Sequence, residues 1–113
     1  MATVEQHFVG RAPVVRAIYR QILDAAKASG PFTEDPKKTS IHLARRSAFA
    51  GIATRKDALL LTVKSDADIR SSRIIKREQA SANRWHLMIR LDDPAQVDAE
   101  IKAWLKRAIA LAG

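Results

Sequence analysis

The chain has 113 residues, 47% hydrophobic and 28% charged, a length that suits one compact domain spanning residues 1–113. Twenty Lys and Arg against 12 Asp and Glu give a formal net charge of +8, which favours acidic or phosphorylated partners. The sequence contains no cysteine, which excludes disulfides, thiolate chemistry and a cysteine-based zinc site. No signal-peptide pattern or membrane-spanning apolar run is present, so we expect a cytoplasmic protein without a membrane partner.

Apolar residues at helical spacing predict an N-terminal helix that begins at Pro13. Its buried face consists of Val15, Ile18, Tyr19, Ile22 and Ala26. Gly30 and Pro31 cannot easily continue a helix, so this one should end at about Ser29.

The C-terminal segment predicts a second amphipathic helix. Asp93 suits the N-cap, Pro94 the first helical position and Gln96 the third position of a capping box. The apolar residues that follow keep helical spacing: Val97, Ile101, Trp104, Leu105 and Ala108.

Between the helices the apolar period changes to two, which is typical of β-strands. Strands are expected around residues 41–43, 49–54, 59–63 and 85–91, and a fifth around residues 73–79. The predicted fold class is therefore α+β, with an N-terminal helix, an antiparallel sheet of four to five strands, and a C-terminal helix packed on the same face. The expected core comprises Val15, Ile18, Ile22, Ile41, Leu43, Phe49, Leu59, Leu61, Val63, Leu87, Ile89, Ile101, Trp104 and Leu105.

The short connection over residues 55–57 predicts a hairpin in which Thr54 faces Ala58 and Gly51 faces Leu61. This register leaves three apolar side chains on the opposite face of the sheet: Ala50, Ile52 and Leu60. Because such a face is too apolar to be fully wet, a homodimer through the outer sheet face is the economical way to cover it.

The positive charge is concentrated in the sheet segment. Residues 37–90 hold thirteen Lys and Arg against four Asp and Glu, whereas the flanking segments are nearly neutral. The segment therefore predicts an anion-binding face, with the alternative that basic side chains merely protect sheet edges. Aromatic residues for base stacking are scarce there, so a stacking-type RNA platform is not expected.

The turn before the first expected strand, residues 34–40, brings cations and hydroxyls together. Lys37, Lys38 and Ser40 are candidate contacts to a phosphate or carboxylate, although the stretch lacks the glycines of a P-loop. A charged turn without a ligand is the plainer explanation of the same residues.

Two histidines alternate with the apolar residues of their strands and should therefore point away from the core. His42 and His86 are expected to share a face with Lys64 and Arg90, and such a group could serve as acid, base and charge stabiliser. The commoner role of such histidines is at an ordinary surface or interface.

Other site chemistry is not supported by the sequence. The three histidines lack metal-ligand spacing, no Gly-flanked Ser indicates a nucleophile, and the acidic pairs suit turns and caps, so neither a metal nor a cofactor is expected. Residues 65–72 form a polar connection that reads either as a lid or as a plain loop.

Three stretches carry a family resemblance: residues 30–43, the run Asn83-Arg84-Trp85-His86, and Asp93-Pro94. With them the chain resembles an uncharacterised family of bacterial domains of unknown function, found alone or as terminal modules and distantly similar to YdhG-like small α/β domains. The resemblance covers nearly the whole chain and implies a fold with helices on one side of an antiparallel sheet. It implies no activity and assigns no residue a catalytic role.

Three functional hypotheses remain open from the sequence. The first is a small basic module that binds an anionic partner, such as a nucleic acid, through the sheet segment. The second is a small metal-independent, ribonuclease-like enzyme that uses His42 or His86 with Lys38 and Arg90 around a phosphate. The third is a homodimerising interaction domain without a ligand.

Overall fold

The computed structural model describes residues 2–112 as two helices packed on a six-stranded antiparallel sheet. Helix α1 spans Pro13–Lys27 and helix α2 spans Ala99–Ala112. The strands are β1 Thr33–Pro36, β2 Ile41–Ala44, β3 Ala48–Thr54, β4 Leu59–Ser65, β5 Ile74–Ser81 and β6 Arg84–Leu91. Their spatial order is β1-β2-β3-β4-β6-β5. The predicted α+β class is confirmed, but the sheet has six strands where four to five were expected. Met1 and Gly113, the ends of the expected domain, lie outside the described residues.

Strand β1 is the one that the sequence did not predict. Its four residues are polar or Pro, so they carry no apolar alternation, and the expectation of a charged turn at residues 34–36 is wrong. The strand forms by pairing with β2, and the Tyr19 hydroxyl on α1 donates a hydrogen bond to Glu34 Oε1 at 2.6 Å. Burial, followed by this hydrogen bond, raises the pKa of Tyr19 above its ordinary value.

The two helices cover one face of the sheet, and the core lies between them. Every residue of the predicted core is buried, and Ile52, Leu91 and Ile109 join it. Helix α2 packs on β3 and β4 and also contacts α1. Within residues 2–112, no helix combines the length and apolar character that crossing a bilayer requires.

The register of the β3–β4 hairpin differs from the expected one by one residue. Thr54 pairs with Leu59 and Ile52 with Leu61, because the turn contains four residues and closes with a hydrogen bond from Arg55 N to Ala58 O at 2.8 Å. A one-residue slip exchanges the two faces of a strand. Ala50 and Ile52 are therefore buried under the helices, and of the three residues expected outside only Leu60 lies on the outer face, half-buried.

A β-bulge explains why Phe49 and Ala50 are both buried although they are neighbours in β3. Leu43 pairs with Ala50 and Ala44 with Ala48, which leaves Phe49 without a partner on β2. A bulge of this kind turns successive side chains toward the same side. The Phe49 ring then packs edge-on against Phe32, with 5.9 Å between ring centroids.

Helix α2 begins later than predicted. Asp93, Pro94 and Gln96 do form a capping box, but it initiates the 3₁₀ turn Pro94–Gln96. The chain then leaves helical geometry at Val97, and Asp98 caps α2 by accepting a hydrogen bond from Ile101 N at 3.2 Å.

Both edges of the sheet carry features that discourage further strand pairing. On one side β1 is four residues long and ends at Pro36, which has no N–H to donate. On the other side β5 has register shifts near both ends and exposes charged residues between them. Short length, proline, bulges and charge are the common means by which edge strands avoid association.

The β3–β4 register can be tested with two adjacent leucines. Leu61→Ala, in the core, should lower the free energy of unfolding by about 2–5 kcal/mol, because it removes a fully buried side chain. Leu60→Ala, on the outer face, should cost less than about 1 kcal/mol. Urea denaturation measures both values, and a larger loss for Leu60→Ala would contradict the register.

Candidate functional site

A hollow of about 670 Å3 lies on the outer face of the sheet, which the helices leave open. This volume is in the range of ordinary small-molecule sites, about 300–1,000 Å3. The hollow crosses β2, β3, β4 and β6 and ends at two turns. Its lining includes Thr39, Ser40, His42, Ala48, Gly51, Ala53, Arg55, Thr62, Lys64, His86 and Met88.

Four of the residues predicted as ligand contacts line this hollow: Ser40, His42, Lys64 and His86. The strand register explains their common face. His42 pairs with Gly51, which pairs with Thr62, and Lys64 pairs directly with His86. Residues that pair across neighbouring strands point to the same side of a sheet, so these side chains surround the same depression.

Lys37 and Lys38 do not line the hollow, although the sequence places them near Ser40. Both are exposed in the β1–β2 turn, where Lys37 Nζ lies 2.8 Å from Asp35 Oδ2. The Lys37 carbonyl is also 2.8 Å from His7 Nε2, so the N-terminal segment holds this turn in place.

Arg90 lies on the expected face of the sheet but outside the hollow. It pairs with Leu60 across β4 and β6, is exposed, and lies outside the hollow lining. Its Nη1 is 3.1 Å from Asp92 Oδ2, and this ion pair offsets part of its charge.

His42 and His86 share a face but stand at opposite walls of the hollow. Their strands, β2 and β6, are separated by β3 and β4, so their backbones are three strand spacings apart, about 14 Å. A general acid or base must lie within hydrogen-bond reach of the proton that it moves. The two imidazoles therefore belong to different ends of a ligand and do not form one acid–base pair.

His86 has charged neighbours on both adjacent strands. Lys64 is its cross-strand partner on β4, and Glu78 is its partner on β5, with 3.8 Å between His86 Nδ1 and Glu78 Oε1. This separation allows an ion pair when His86 is protonated, but it is too long for a hydrogen bond. In this row of Lys, His and Glu, the Lys64 side is the one that suits an anion.

Arg55, Thr62, Gly51 and Met88 are site residues that the sequence analysis did not select. Thr62 and Met88 have the strand parity of Lys64 and His86, and this parity was the available signal. Arg55 follows β3 directly, and its Nη1 donates to the Thr54 carbonyl at 3.0 Å, which holds the guanidinium at the rim. Gly51 could be recognised only once the register was known.

Ion pairing separates the thirteen basic residues of the sheet segment into two groups. Among the described residues, five of them lie within 4.0 Å of a carboxylate: Lys37, Arg70, Arg73, Arg77 and Arg90. Lys64 and Arg55, the two cations that line the hollow, are not in this group. Of the eight basic residues outside these ion pairs, two therefore line the hollow.

The connection over residues 65–72 is tied to the body of the domain. Asp66 accepts two hydrogen bonds from the Arg107 guanidinium on α2, at 2.7 and 2.9 Å. Arg77 on β5 reaches both Asp68 Oδ1 and the Ile69 carbonyl. These contacts favour a fixed loop over the lid that was the other expectation. Within residues 2–112, no three His, Asp or Glu side chains come together as metal ligands would.

These features define the protein as a small α+β domain. Helices cover one face of its sheet, and the other face is open and concave. Comparison with family models narrows the assignment: the chain belongs to the family "Domain of unknown function (DUF5655)", whose model matches residues 4–112. The expected membership in an uncharacterised domain family is thereby confirmed, while the bacterial origin and the likeness to YdhG-like domains stay predictions. Neither the curated proteins nor the solved structures contain a match to this chain.

The contact between Asp66 and Arg107 predicts that the pKa of Asp66 depends on Arg107. The Arg107 guanidinium holds the pKa of Asp66 below its ordinary value, so the pair stabilises the fold above the unfolded-state pKa and loses this effect as the pH falls through the lowered one. Arg107→Gln should raise the pKa of Asp66 toward its ordinary value of about 3.9. NMR titration of the Asp66 carboxyl carbon measures the shift, and an unchanged pKa in the variant would contradict the pairing.

Proposed function

We propose that this protein is an anion-binding module, expected in the cytoplasm, whose site is the hollow on the open sheet face. One observation carries the proposal: Ser40, His42, Lys64 and His86, selected from sequence as anion contacts, line a single concavity with Arg55. A ligand that entered it would meet cations at both ends and hydroxyl groups between them.

The electrostatics of the face support an anion. The chain carries a net charge of +8, and residues 37–90 contain the excess. A concave surface lined by one sign of charge concentrates counter-ions and speeds their association. Lys64 and Arg55 supply an ammonium and a guanidinium group to the hollow, and both are good partners for phosphate or carboxylate oxygens.

A nucleic acid is one anionic partner that this surface suits, through its phosphates and not its bases. Phe49 is buried in the core, Trp104 is buried on α2, and the hollow lining offers no exposed aromatic ring. Single-strand binders normally stack bases on such rings. Contact with a polynucleotide would therefore depend on phosphate charge and on salt.

Matched lysine substitutions test the proposal. Lys64→Gln should weaken binding of fluorescently labelled RNA or single-stranded DNA about 5- to 30-fold, because it removes one charged contact in the hollow. Lys102→Gln, an exposed residue on α2, removes the same charge elsewhere and should change the affinity less than about twofold. Fluorescence anisotropy at low and moderate salt measures both, together with duplex DNA.

Two results would overturn the proposal. One is equal weakening by the two substitutions, since net charge alone would then account for binding. The other is no detectable binding of any nucleic acid or small phosphate compound at low salt. A mass that rises with protein concentration in the absence of anion binding would favour the homodimer instead.

A second candidate function, a metal-independent ribonuclease-like activity, is favoured by the row of Lys64, His86 and Glu78. A carboxylate beside His86 Nδ1 leaves the other ring nitrogen free to transfer a proton, and Lys64 would stabilise charge on a phosphate. The partners expected from sequence, Lys38 and Arg90, lie outside the hollow, so this version depends on His86 alone.

Gel analysis of the same labelled RNA tests for this activity. If the protein cleaves RNA, His86→Ala should reduce the rate at least about 100-fold, because general acid–base groups contribute about 10²–10⁴-fold. His7→Ala, a histidine in the N-terminal segment outside the hollow, is the control and should retain the rate. RNA that stays intact with the wild-type protein excludes the enzyme and leaves the binding module.

A further inference from the structure

Gly51 occupies a position where nothing in the protein requires a glycine. It lies in the middle of β3 and is paired on both sides, with His42 on β2 and with Thr62 on β4. Its φ is not positive, so the backbone is open to any residue. A Cβ built on Gly51 would have only His42 Cδ2 nearby, at 4.0 Å, which is an ordinary contact.

A glycine at such a position weakens the strand, because it raises the entropy cost of folding and packs no side chain. A mid-strand glycine marks a bulge, a tight bend, or the close approach of a ligand or another backbone. The bulge of β3 lies at Phe49, and Gly51 is regularly paired on both sides, so close approach is the reason we adopt. At Gly51 the open side is the floor of the hollow, so the approaching molecule is a ligand of that site.

The walls of the hollow indicate the shape of this ligand. His42 on β2 and Thr62 on β4 flank Gly51 at the same level, and Met88 on β6 follows beyond Thr62. A flat ring system placed on the bare backbone at Gly51 would have the His42 imidazole along one edge and the Thr62 side chain along the other, with the adaptable Met88 thioether beyond Thr62. Ala53 continues the flat floor, and its small side chain leaves room beside the ring.

The charges indicate where the anionic group lies. Lys64 and His86 are cross-strand neighbours, two residues along their strands from Thr62 and Met88, which places them beside the level of Gly51. Lys64 offers an ammonium group and His86 a ring nitrogen, and a phosphate monoester has enough terminal oxygens to contact both at once. Glu78, 3.8 Å from His86 Nδ1, lies on the β5 side of His86, away from Lys64.

We propose that the hollow binds a small phosphate monoester of a flat ring compound, of the size of a nucleoside monophosphate. The ring lies on the β3 backbone at Gly51 between His42 and Thr62, and the phosphate lies against Lys64 and His86. This inference rests on the proposed anion-binding function and goes beyond it by naming a small ligand with an apolar, planar part in place of a polymer.

The experiment uses the whole chain and three sets of probes: the four ribonucleoside 5′-monophosphates, the corresponding nucleosides, and inorganic phosphate. Isothermal titration at low salt should give at least one monophosphate an affinity ten or more times that of its nucleoside and of phosphate. Lys64→Gln should reduce the affinity for that monophosphate at least fivefold and leave that for the nucleoside unchanged.

Gly51→Val separates a role of Gly51 in ligand binding from a role in folding, because it should change stability and affinity in opposite directions. It should raise the melting temperature by about 3 °C, because a β-branched residue suits an extended strand better than glycine, and it should reduce monophosphate affinity at least tenfold by filling the floor. Gln79→Val, on exposed β5 outside the hollow, is the control: it introduces valine into a strand without filling the hollow and should leave the affinity unchanged.

Several results would overturn the inference. A melting temperature that falls in Gly51→Val would show that the fold needs the glycine, and monophosphates that bind no better than nucleosides or phosphate would exclude the combined ligand. Lys64-dependent binding of RNA without monophosphate binding would overturn this inference and keep the anion-binding function. Failure of every anion to bind would overturn both.

Discussion

The pairing of β3 with β4 determines how the rest of the molecule is arranged. With Ile52 opposite Leu61, one face of both strands is apolar and accepts the helices, and the other presents Gly51, Thr62 and Lys64. Because side chains alternate along the regularly paired stretches 50–54 and 59–63, a shift of one residue would exchange the two faces. The same four-residue turn that closes this hairpin thus fixes both the core and the open face.

The basic residues differ in what they contact. Arg73, Arg77 and Arg107 each bind carboxylates or carbonyls that fasten loops and helix α2 to the sheet. Exposed pairs of this kind contribute little stability each, but they neutralise the cations that take part in them. Lys64 and Arg55 line the hollow on the open face and are not among these paired residues.

The fold was predictable where one face of an element is apolar, as in α1, α2 and β4. It was not predictable in β1, whose polar residues form a strand only because β2 and Tyr19 provide partners. Only some residues of the candidate site were predictable, for a related reason. The alternation of side chains along each strand identified His42 and His86. The register between β3 and β4 depends on the number of residues in their turn, so local sequence could not assign Gly51 to the outer face. Nor could it show that Lys38 lies outside the hollow.

The protected edges of the sheet have a consequence for self-association. Since β1 ends in proline and β5 is bulged and charged, two copies cannot extend one sheet through their edges without losing hydrogen bonds. A dimer that uses the sheet must then join the open faces and cover the hollow. Ligand occupancy and dimerisation would be mutually exclusive states of one surface, and a saturating ligand would draw the population toward monomers by mass action.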